Sequence, residues 1–429
     1  MPVDAAAAGW GRTPPEDVRE WGEDQGADHT PRRAARGRGP GEERPRARPF
    51  AIRAPVRGTG AAARLARAAC GVAVLLGLPA CSESPMAPER VPLADLPADL
   101  AEVTLTAEGT LSAPYVMLEL GATDGFSGYV AVNGAGRPVW FHRTEGTPFG
   151  FARRSNGDFV FLDRGAGLVE VTPEDRVVHR LAQEEPPGRF IHHDVVVTPR
   201  NTVLFLASDW RESGGRTING AAVWEWDPER GTAVRRWSAF DALDPVVDRG
   251  IRSLDGDWLH ENSLDVGPRG NVVVSFNFLN QAISLSPDFE RIEWRLGGPA
   301  ATYAVADAFS GQHTAQEIAP GRVLLFDNGF ERPAPGYSRA AEYALSGDTA
   351  RIVWQWRPER DNWARVIGSA RRLPNGNTLV AFGVPKDQPP GSTGPIEVFE
   401  ITPAGRVTWH LTISGRVGFM YRATPLYGF

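Results

Sequence analysis

From about residue 100 onward, the sequence repeats short apolar stretches of strand length, separated by turns rich in Gly, Pro and Asn. Stretches with helical periodicity are scarce, so strands joined by hairpins are the natural interpretation. Six stretches close successive units, and the last three share the order Arg, Ile or Val, any residue, Trp. They are 136–141, 176–179, 233–237, 291–294, 351–354 and 406–409. Their spacing of about 40 to 60 residues indicates one repeated unit.

A repeated unit of short strands is typical of a β-propeller blade, which cannot bury both faces alone and must stack on its neighbours. The pattern therefore predicts an all-β fold, a six-bladed β-propeller over residues 101–429, with the closing Trp side chains packed between blades. A ring of seven blades and a pair of β-sandwiches are the alternatives.

Composition removes several classes of function. The 429 residues carry a formal net charge of -6 and no basic patch, which argues against a nucleic-acid partner. The chain has two cysteines, Cys70 and Cys81, and both precede the predicted propeller. The propeller therefore has neither a disulfide framework nor a cysteine metal site.

The N-terminal part differs from the rest. Residues 1–63 are rich in Arg, Pro, Gly and Ala without periodicity, and we expect a disordered leader or residues ahead of the true start. Residues 64–81 combine a basic flank with a short apolar run that ends Leu-Pro-Ala-Cys, as in a secretory signal peptide. This ending resembles the bacterial lipobox, which predicts lipidation of Cys81. An ordinary signal peptide and a buried core segment are the alternatives.

On this basis residues 82–100 are expected to form a tether. The protein is expected to be exported, either as a membrane-anchored lipoprotein or as a periplasmic or extracellular protein. Contact with a membrane is expected only through the lipid anchor.

Three polar clusters contain histidine, which can act as a base, a nucleophile or a metal ligand near neutral pH. They are His-His-Asp (192–194), His-Glu-Asn-Ser (260–263) and Gln-His-Thr (312–314). Loops and innermost strands of a propeller surround its axis, so His193, His260 and His313 are predicted to meet there. Blade packing and ordinary turns remain alternative explanations for each cluster.

Strand alternation adds two expectations. Neighbours along a strand point to opposite faces, so only one of His192 and His193 is expected to face the axis, whereas His260 and Asn262 share a face. A fourth cluster joins Asp-Asn-Gly (327–329) to Arg339. This arginine is either an anion ligand or a structural partner of Asp327 or Glu342.

The order of these motifs, with Trp-Arg-Leu-Gly-Gly (294–298) and Leu-Pro-Asn-Gly-Asn (373–377), resembles the bacterial arylsulfate sulfotransferase family over about residues 105–429. The resemblance implies a six-bladed propeller that moves a sulfuryl group from a phenolic sulfate to a phenol, without a nucleotide donor or other cofactor. It implies that His313 becomes sulfated, that His260 and Asn262 bind the sulfuryl oxygens, and that His193 or His192 acts as acid or base.

One position departs from the family pattern: Asn277 stands where the family places an arginine. A neutral amide is a poorer sulfate ligand than a guanidinium, and Arg339 is the candidate replacement. Two alternative functions follow. One is a propeller that binds a ligand or partner without catalysis. The other is a metal-dependent hydrolase or lyase that uses His193, His260 and His313 as ligands.

Overall fold

The computed structural model describes residues 90–122, 124–183, 190–334, 336–360, 362–384 and 395–429. The predicted leader, the signal peptide with Cys81 and the first part of the tether lie outside the described residues, and they stay predictions. The described end of the tether contacts the propeller: the backbone N–H of Arg90 donates to the Tyr115 hydroxyl at 2.6 Å, and that of Leu93 donates to the Pro138 carbonyl at 3.0 Å. Within the described ranges, no helix has the length and apolar character of a membrane span.

Six antiparallel sheets follow one another around a ring, which confirms the six-bladed propeller. The strands of each blade are given from the innermost outward. The first blade consists of β26 (Phe419–Leu426), β2 (Tyr115–Gly121), β3 (Gly128–Asn133) and β4 (Pro138–Arg143), and the second of β5 (Pro148–Arg153), β6 (Phe159–Asp163), β7 (Gly167–Val171) and β8 (Val177–Ala182). The third blade consists of β9 (Ile191–Val197), β10 (Val203–Ser213), β11 (Arg216–Asp227) and β12 (Thr232–Ser238).

The fourth blade consists of β13 (Glu261–Val266), β14 (Val272–Phe276), β15 (Gln281–Leu285) and β16 (Ile292–Leu296). The fifth consists of β18 (His313–Ala319), β19 (Arg322–Asp327), β20 (Arg339–Ser346) and β21 (Thr349–Trp356), with β17 (Ala304–Val305) at its outer edge. The sixth consists of β22 (Ser369–Arg372), β23 (Thr378–Phe382), β24 (Ile396–Ile401) and β25 (Val407–Gly415), with β1 (Val103–Gly109) at its outer edge. The described helices are α1 (Ala98–Ala101) and a 3₁₀ turn, Ala239–Asp241.

The chain closes the ring with its C-terminal end. Strand β26 pairs antiparallel with β2, so the first blade takes its innermost strand from the end of the sequence. Strands β6 and β14, in the middle of their blades, are buried along their whole length, whereas the outer strand β8 is mostly exposed. This burial pattern places the hydrophobic core between blades, as stacking of the repeated unit requires.

The closing tryptophans bridge neighbouring blades, as predicted. The indole N–H of Trp409 donates to the Gly134 carbonyl at 2.7 Å, which joins the sixth blade to the first. Trp354 and Trp356 donate to the carbonyls of Pro403 and Gly405 at 3.0 and 3.2 Å, which joins the fifth blade to the sixth.

Side chains near the axis also join the blades. Among the described residues, a backbone N–H of one innermost strand donates to a polar side chain of the preceding blade at five of the six junctions. The pairs are Gly150 to Glu119 (2.8 Å), Leu264 to Asp194 (2.6 Å), Ala315 to Ser263 (3.2 Å), Ala370 to Thr314 (3.0 Å) and Ala423 to Ser369 (3.4 Å). Asp194, Ser263 and Thr314 belong to the histidine motifs, so the same short segments hold both the ring and the site.

One of these side chains near the axis, Glu119, has a carboxyl group whose protonation changes near neutral pH. Its side chain is fully buried, and burial raises the pKa of the carboxyl to about 7, against the attraction of Arg422 and with the repulsion of Asp194. Folded Glu119 therefore keeps its proton to a higher pH than the unfolded chain does. Its ionisation removes stability as the pH rises from about 4.5 to about 7.

We expect Glu119→Gln, which mimics the protonated carboxyl, to be more stable than the parent at about pH 8, by up to about 3 kcal/mol. The advantage should disappear near pH 4.5, where the parent carboxyl is protonated as well. Urea unfolding at both pH values measures the difference, and Glu108→Gln, at an exposed position, is the matched control. An equal effect of Glu119→Gln at both pH values would contradict the assignment.

Candidate active site

The structure brings together the histidines of three successive blades. The ring centroids of His193 and His260 are 4.9 Å apart. The Tyr421 ring lies 6.2 Å from His193 and 6.4 Å from His313, so it contacts both sides of the group. All of these residues lie in or next to innermost strands, and this placement creates the common centre that the motifs predict.

Local interruptions of regular strand geometry orient the side chains of the site. His193, His260 and Thr314 have φ values of 62°, 49° and 47°, in a left-handed region that non-glycine residues seldom adopt. The register of β9 against β10 shifts at the same point, which leaves His193 and Asp194 without paired partners. This bulge breaks the two-residue alternation, and so the rings of His192 and His193 contact each other instead of pointing to opposite faces.

Asn328 fixes the tautomer of His313. Both amide protons of Asn328 go to backbone carbonyls, those of Ala364 and Ile367, each at 2.7 Å. The amide oxygen therefore faces Nδ1 of His313, at 2.8 Å, and an oxygen can only accept there. We assign the proton to Nδ1, which leaves the lone pair of His313 on Nε2.

A second chain of contacts orients His193. Nε2 of His192 lies 3.1 Å from the Glu261 carboxylate, so this nitrogen carries the proton of a neutral His192. Nδ1 of His192 then accepts from Nδ1 of His193 at 2.8 Å. By the same logic, Nε2 of His193 carries a lone pair. The sequence left open whether His192 or His193 acts as acid or base. The hydrogen bond between them makes His192 the residue that orients the His193 ring.

His260 has a different environment. Its Nδ1 lies 2.6 Å from the Asp257 carboxylate, and its backbone N–H donates to the same side chain at 3.0 Å. Its ring stacks on Phe278 with a centroid distance of 4.6 Å. A carboxylate that holds one ring nitrogen stabilises positive charge on the imidazole, as in the histidine of a catalytic triad.

Burial sets the protonation state of two of the three rings. Burial lowers the pKa of His313 to about 3, although the hydrogen bond to Asn328 acts in the opposite direction. Burial, together with the neighbouring histidines, holds the pKa of His193 well below its ordinary value. Both rings are therefore neutral near pH 7, and each presents a lone pair rather than a proton.

The two predicted amide ligands mainly organise the backbone in front of His313. Asn262 is fully buried, and its amide N–H donates to the Gln312 carbonyl at 2.8 Å. The amide N–H groups of Asn277 reach the carbonyls of Gly311 and Gln312 at 2.9 and 3.3 Å. Both side chains thus hold the segment that presents the His313 ring.

Arg339 has a structural set of partners. Its guanidinium binds both oxygens of Asp307, at 2.7 and 3.0 Å, and Asp327 at 2.9 Å. It also lines an open pocket of about 400 Å³. The lining residues are Asp307, Tyr337, Arg339, Gln355, Trp356 and Arg357. Of the two roles considered from the sequence, this geometry favours the structural pair with Asp327.

Sequence reasoning missed Arg422, Asp257 and Arg252. Arg422 is buried in β26, where its guanidinium pairs with Asp194 and donates to the Asn262 carbonyl at 2.6 Å. A charged residue inside the apolar run Phe-Met-Tyr-Arg-Ala (419–423) was the available signal. Arg252 lies beside Asn277 and comes from a loop without a motif.

In the ranges that the structure describes, no three His, Cys, Asp or Glu side chains are grouped so that they could hold one metal ion. The three-histidine ligand set considered from the sequence is therefore not assembled as a metal site. The groups that do converge are imidazoles with assigned lone pairs, an imidazole held by a carboxylate, the buried Arg422 and the half-buried Arg252.

Three comparisons relate the chain to known proteins. The family model described as Arylsulfotransferase (ASST) matches residues 107–420. No curated protein matches significantly. Among solved structures, the chain is similar to a protein of unknown function from Bacteroides caccae, with 13% identity, 73% of this chain and 99% of that chain covered, and a TM-score of 0.49. It is also similar to virginiamycin B lyase from Staphylococcus aureus, with 9% identity, 72% and 99% coverage, and a TM-score of 0.37.

Proposed function

The chain belongs to the arylsulfotransferase family, and from this premise we propose that it moves a sulfuryl group from a phenolic sulfate to a phenol through a sulfated His313. The observation that carries the proposal is the orientation of His313: Asn328 occupies Nδ1, and the lone pair of Nε2 is left for attack. A neutral imidazole is a competent nucleophile, and here burial keeps it neutral near pH 7.

In the first half-reaction, Nε2 of His313 attacks sulfur while the bond from sulfur to the aryl oxygen breaks. In its protonated form, His260, whose Nδ1 is held by Asp257, donates the Nε2 proton to the departing phenolic oxygen. The products are a sulfated His313, a free phenol and a neutral His260.

In the second half-reaction, Nε2 of His193 takes the proton of an acceptor phenol. The phenolate oxygen attacks sulfur and the bond from sulfur to His313 breaks. The proton passes from His193 to His260, whose ring is 4.9 Å away, and the starting state is restored. This scheme needs neither a nucleotide nor another cofactor.

The test is to incubate the purified protein with 4-nitrophenyl sulfate, with and without phenol and with and without EDTA. We expect nitrophenol release that requires phenol and is unaffected by EDTA. Release that EDTA abolishes would favour the metal-dependent hydrolase or lyase. Absence of release from folded protein would favour a propeller that binds without catalysis.

A further inference from the structure

Arg252 places a guanidinium next to the histidine centre from a loop that precedes β13. One terminal nitrogen donates to the amide oxygen of Asn277 at 2.5 Å. The other donates to the amide oxygen of Asn280 at 3.0 Å and also bonds the Asn277 carbonyl. All of these acceptors are uncharged, so they fix the position of the guanidinium without neutralising it.

The carboxylates of Glu331 and Asp257 attract the charge of Arg252, but neither forms an ion pair with it among the described residues. Among the residues that the structure describes, no carboxylate lies within ion-pair distance of this guanidinium, and its Nε is buried without a hydrogen-bond partner. Burial lowers the pKa of Arg252 to about 10, so the side chain stays charged at pH 7. A half-buried cation without an ion-pair partner is costly to keep, and an anionic ligand would supply that partner.

Short connections tie Arg252 to both sides of the site. Asn277, which holds the guanidinium, also bonds the Gly311 carbonyl at 2.9 Å, two residues before His313. Asn280 accepts from Arg252 and from the Gly311 N–H, at 2.8 Å for the latter. On the other side, the guanidinium carbon lies 5.1 Å from the centroid of Phe278, the ring on which His260 stacks.

Gly311 keeps the space between these groups open. Its φ is 62°, and a Cβ added there would lie 2.7 Å from Cβ of Phe330 and 3.7 Å from Nη1 of Arg252. A side chain at this position would therefore be strained and would clash with Phe330, and its Cβ would reach van der Waals contact with the guanidinium. The backbone before His313 is shaped so that Arg252 approaches it closely.

We propose that Arg252 binds the anionic oxygens of the aryl sulfate, and that Asn277 is the positioning residue that holds its guanidinium. This inference rests on the proposed function and assigns the cation that the site requires. The guanidinium offers planar paired donors that match two sulfate oxygens, and it stabilises the negative charge that develops during transfer.

The test compares Arg252→Gln and Arg252→Lys with the parent. We expect Arg252→Gln to lower kcat/KM for 4-nitrophenyl sulfate by about 100-fold, with the effect largely in kcat, and Arg252→Lys to recover part of the loss. Asn277→Arg, added to Arg252→Gln, should restore at least about tenfold, because it returns a guanidinium to the same place. Arg249→Gln, in the same loop but paired with Asp255, is the matched control.

Binding of inorganic sulfate, measured by calorimetry, gives a readout that does not depend on turnover. We expect Arg252→Gln to weaken sulfate binding at least about tenfold and Arg249→Gln to leave it unchanged. Parental kcat/KM and sulfate affinity in both Arg252 variants would overturn the inference while leaving the proposed function intact. If the parent binds sulfate through Arg252 but transfers no sulfuryl group, the proposed function fails and the anion site stands.

Discussion

Replacement of His313 with alanine is expected to abolish transfer from 4-nitrophenyl sulfate to phenol, with a loss of about a thousandfold or more in kcat. The variant lacks the nucleophile, and the remaining groups cannot form a covalent intermediate in its place. His193 also presents a lone pair on Nε2, but its ring belongs to a different blade, and in the proposed scheme it takes the proton of the acceptor. Initial rates, with intact-mass detection of the sulfated protein in the absence of acceptor, measure both losses.

His179→Ala is the matched control, because this histidine lies on the outer strand β8 and pairs with Glu170 at 3.0 Å. We expect it to keep parental rates and to take up the sulfuryl group normally. If His313→Ala kept more than a tenth of the parental rate, or if the sulfuryl group were recovered on another residue, His313 would not be the nucleophile.

The fold could be predicted from the sequence because its repeated unit, the blade, is a local stretch of chain. The closing stretches with Trp294, Trp354 and Trp409 repeat, and each needs a neighbouring blade to cover it. Ring closure was not visible in the same way. Strand β26 at the end of the chain pairs with β2, and no pattern within either strand specifies a partner about 300 residues away.

The site was only partly accessible for a related reason. The motifs identify His193, His260 and His313, and the ring arrangement brings them together. The expectation that His192 would point away from His193 failed, because strand alternation does not hold across a bulge. Periodicity describes regular strands, and the site is built from the irregular ones.

The groups that orient the histidines come from segments without a shared pattern. Asn328 follows β19 in a sequence that is most simply a turn, and Asp257 and Arg252 lie in a loop. Their roles depend on hydrogen bonds that cross between segments, such as the bond from Asn328 to His313 at 2.8 Å. These partners come together only in the folded chain, and no local sequence pattern identifies them.

The largest loss of stability is expected from Arg422→Ala. Its guanidinium is buried at the axis, pairs with Asp194 of the third blade and donates to the Asn262 carbonyl of the fourth. Strand β26 belongs to the first blade, and Arg422 thereby joins it to the third and fourth blades. Removal of the cation leaves Asp194 buried and uncompensated, which should lower the free energy of unfolding by about 3–5 kcal/mol.

Urea unfolding at pH 7 measures this loss, and Arg416→Ala is the matched control. Arg416 also pairs with a carboxylate, that of Glu102 at 2.9 Å, but both side chains are about half exposed, so the expected change in unfolding free energy is small. Because the penalty arises from the unpaired carboxylate, the double variant Arg422→Met/Asp194→Asn, which keeps an acceptor for the Leu264 N–H, should recover part of the loss. If Arg422→Ala cost no more than Arg416→Ala, closure of the ring would depend on the β26–β2 ladder and the packing around it, and the ion pair at the axis would contribute nothing measurable.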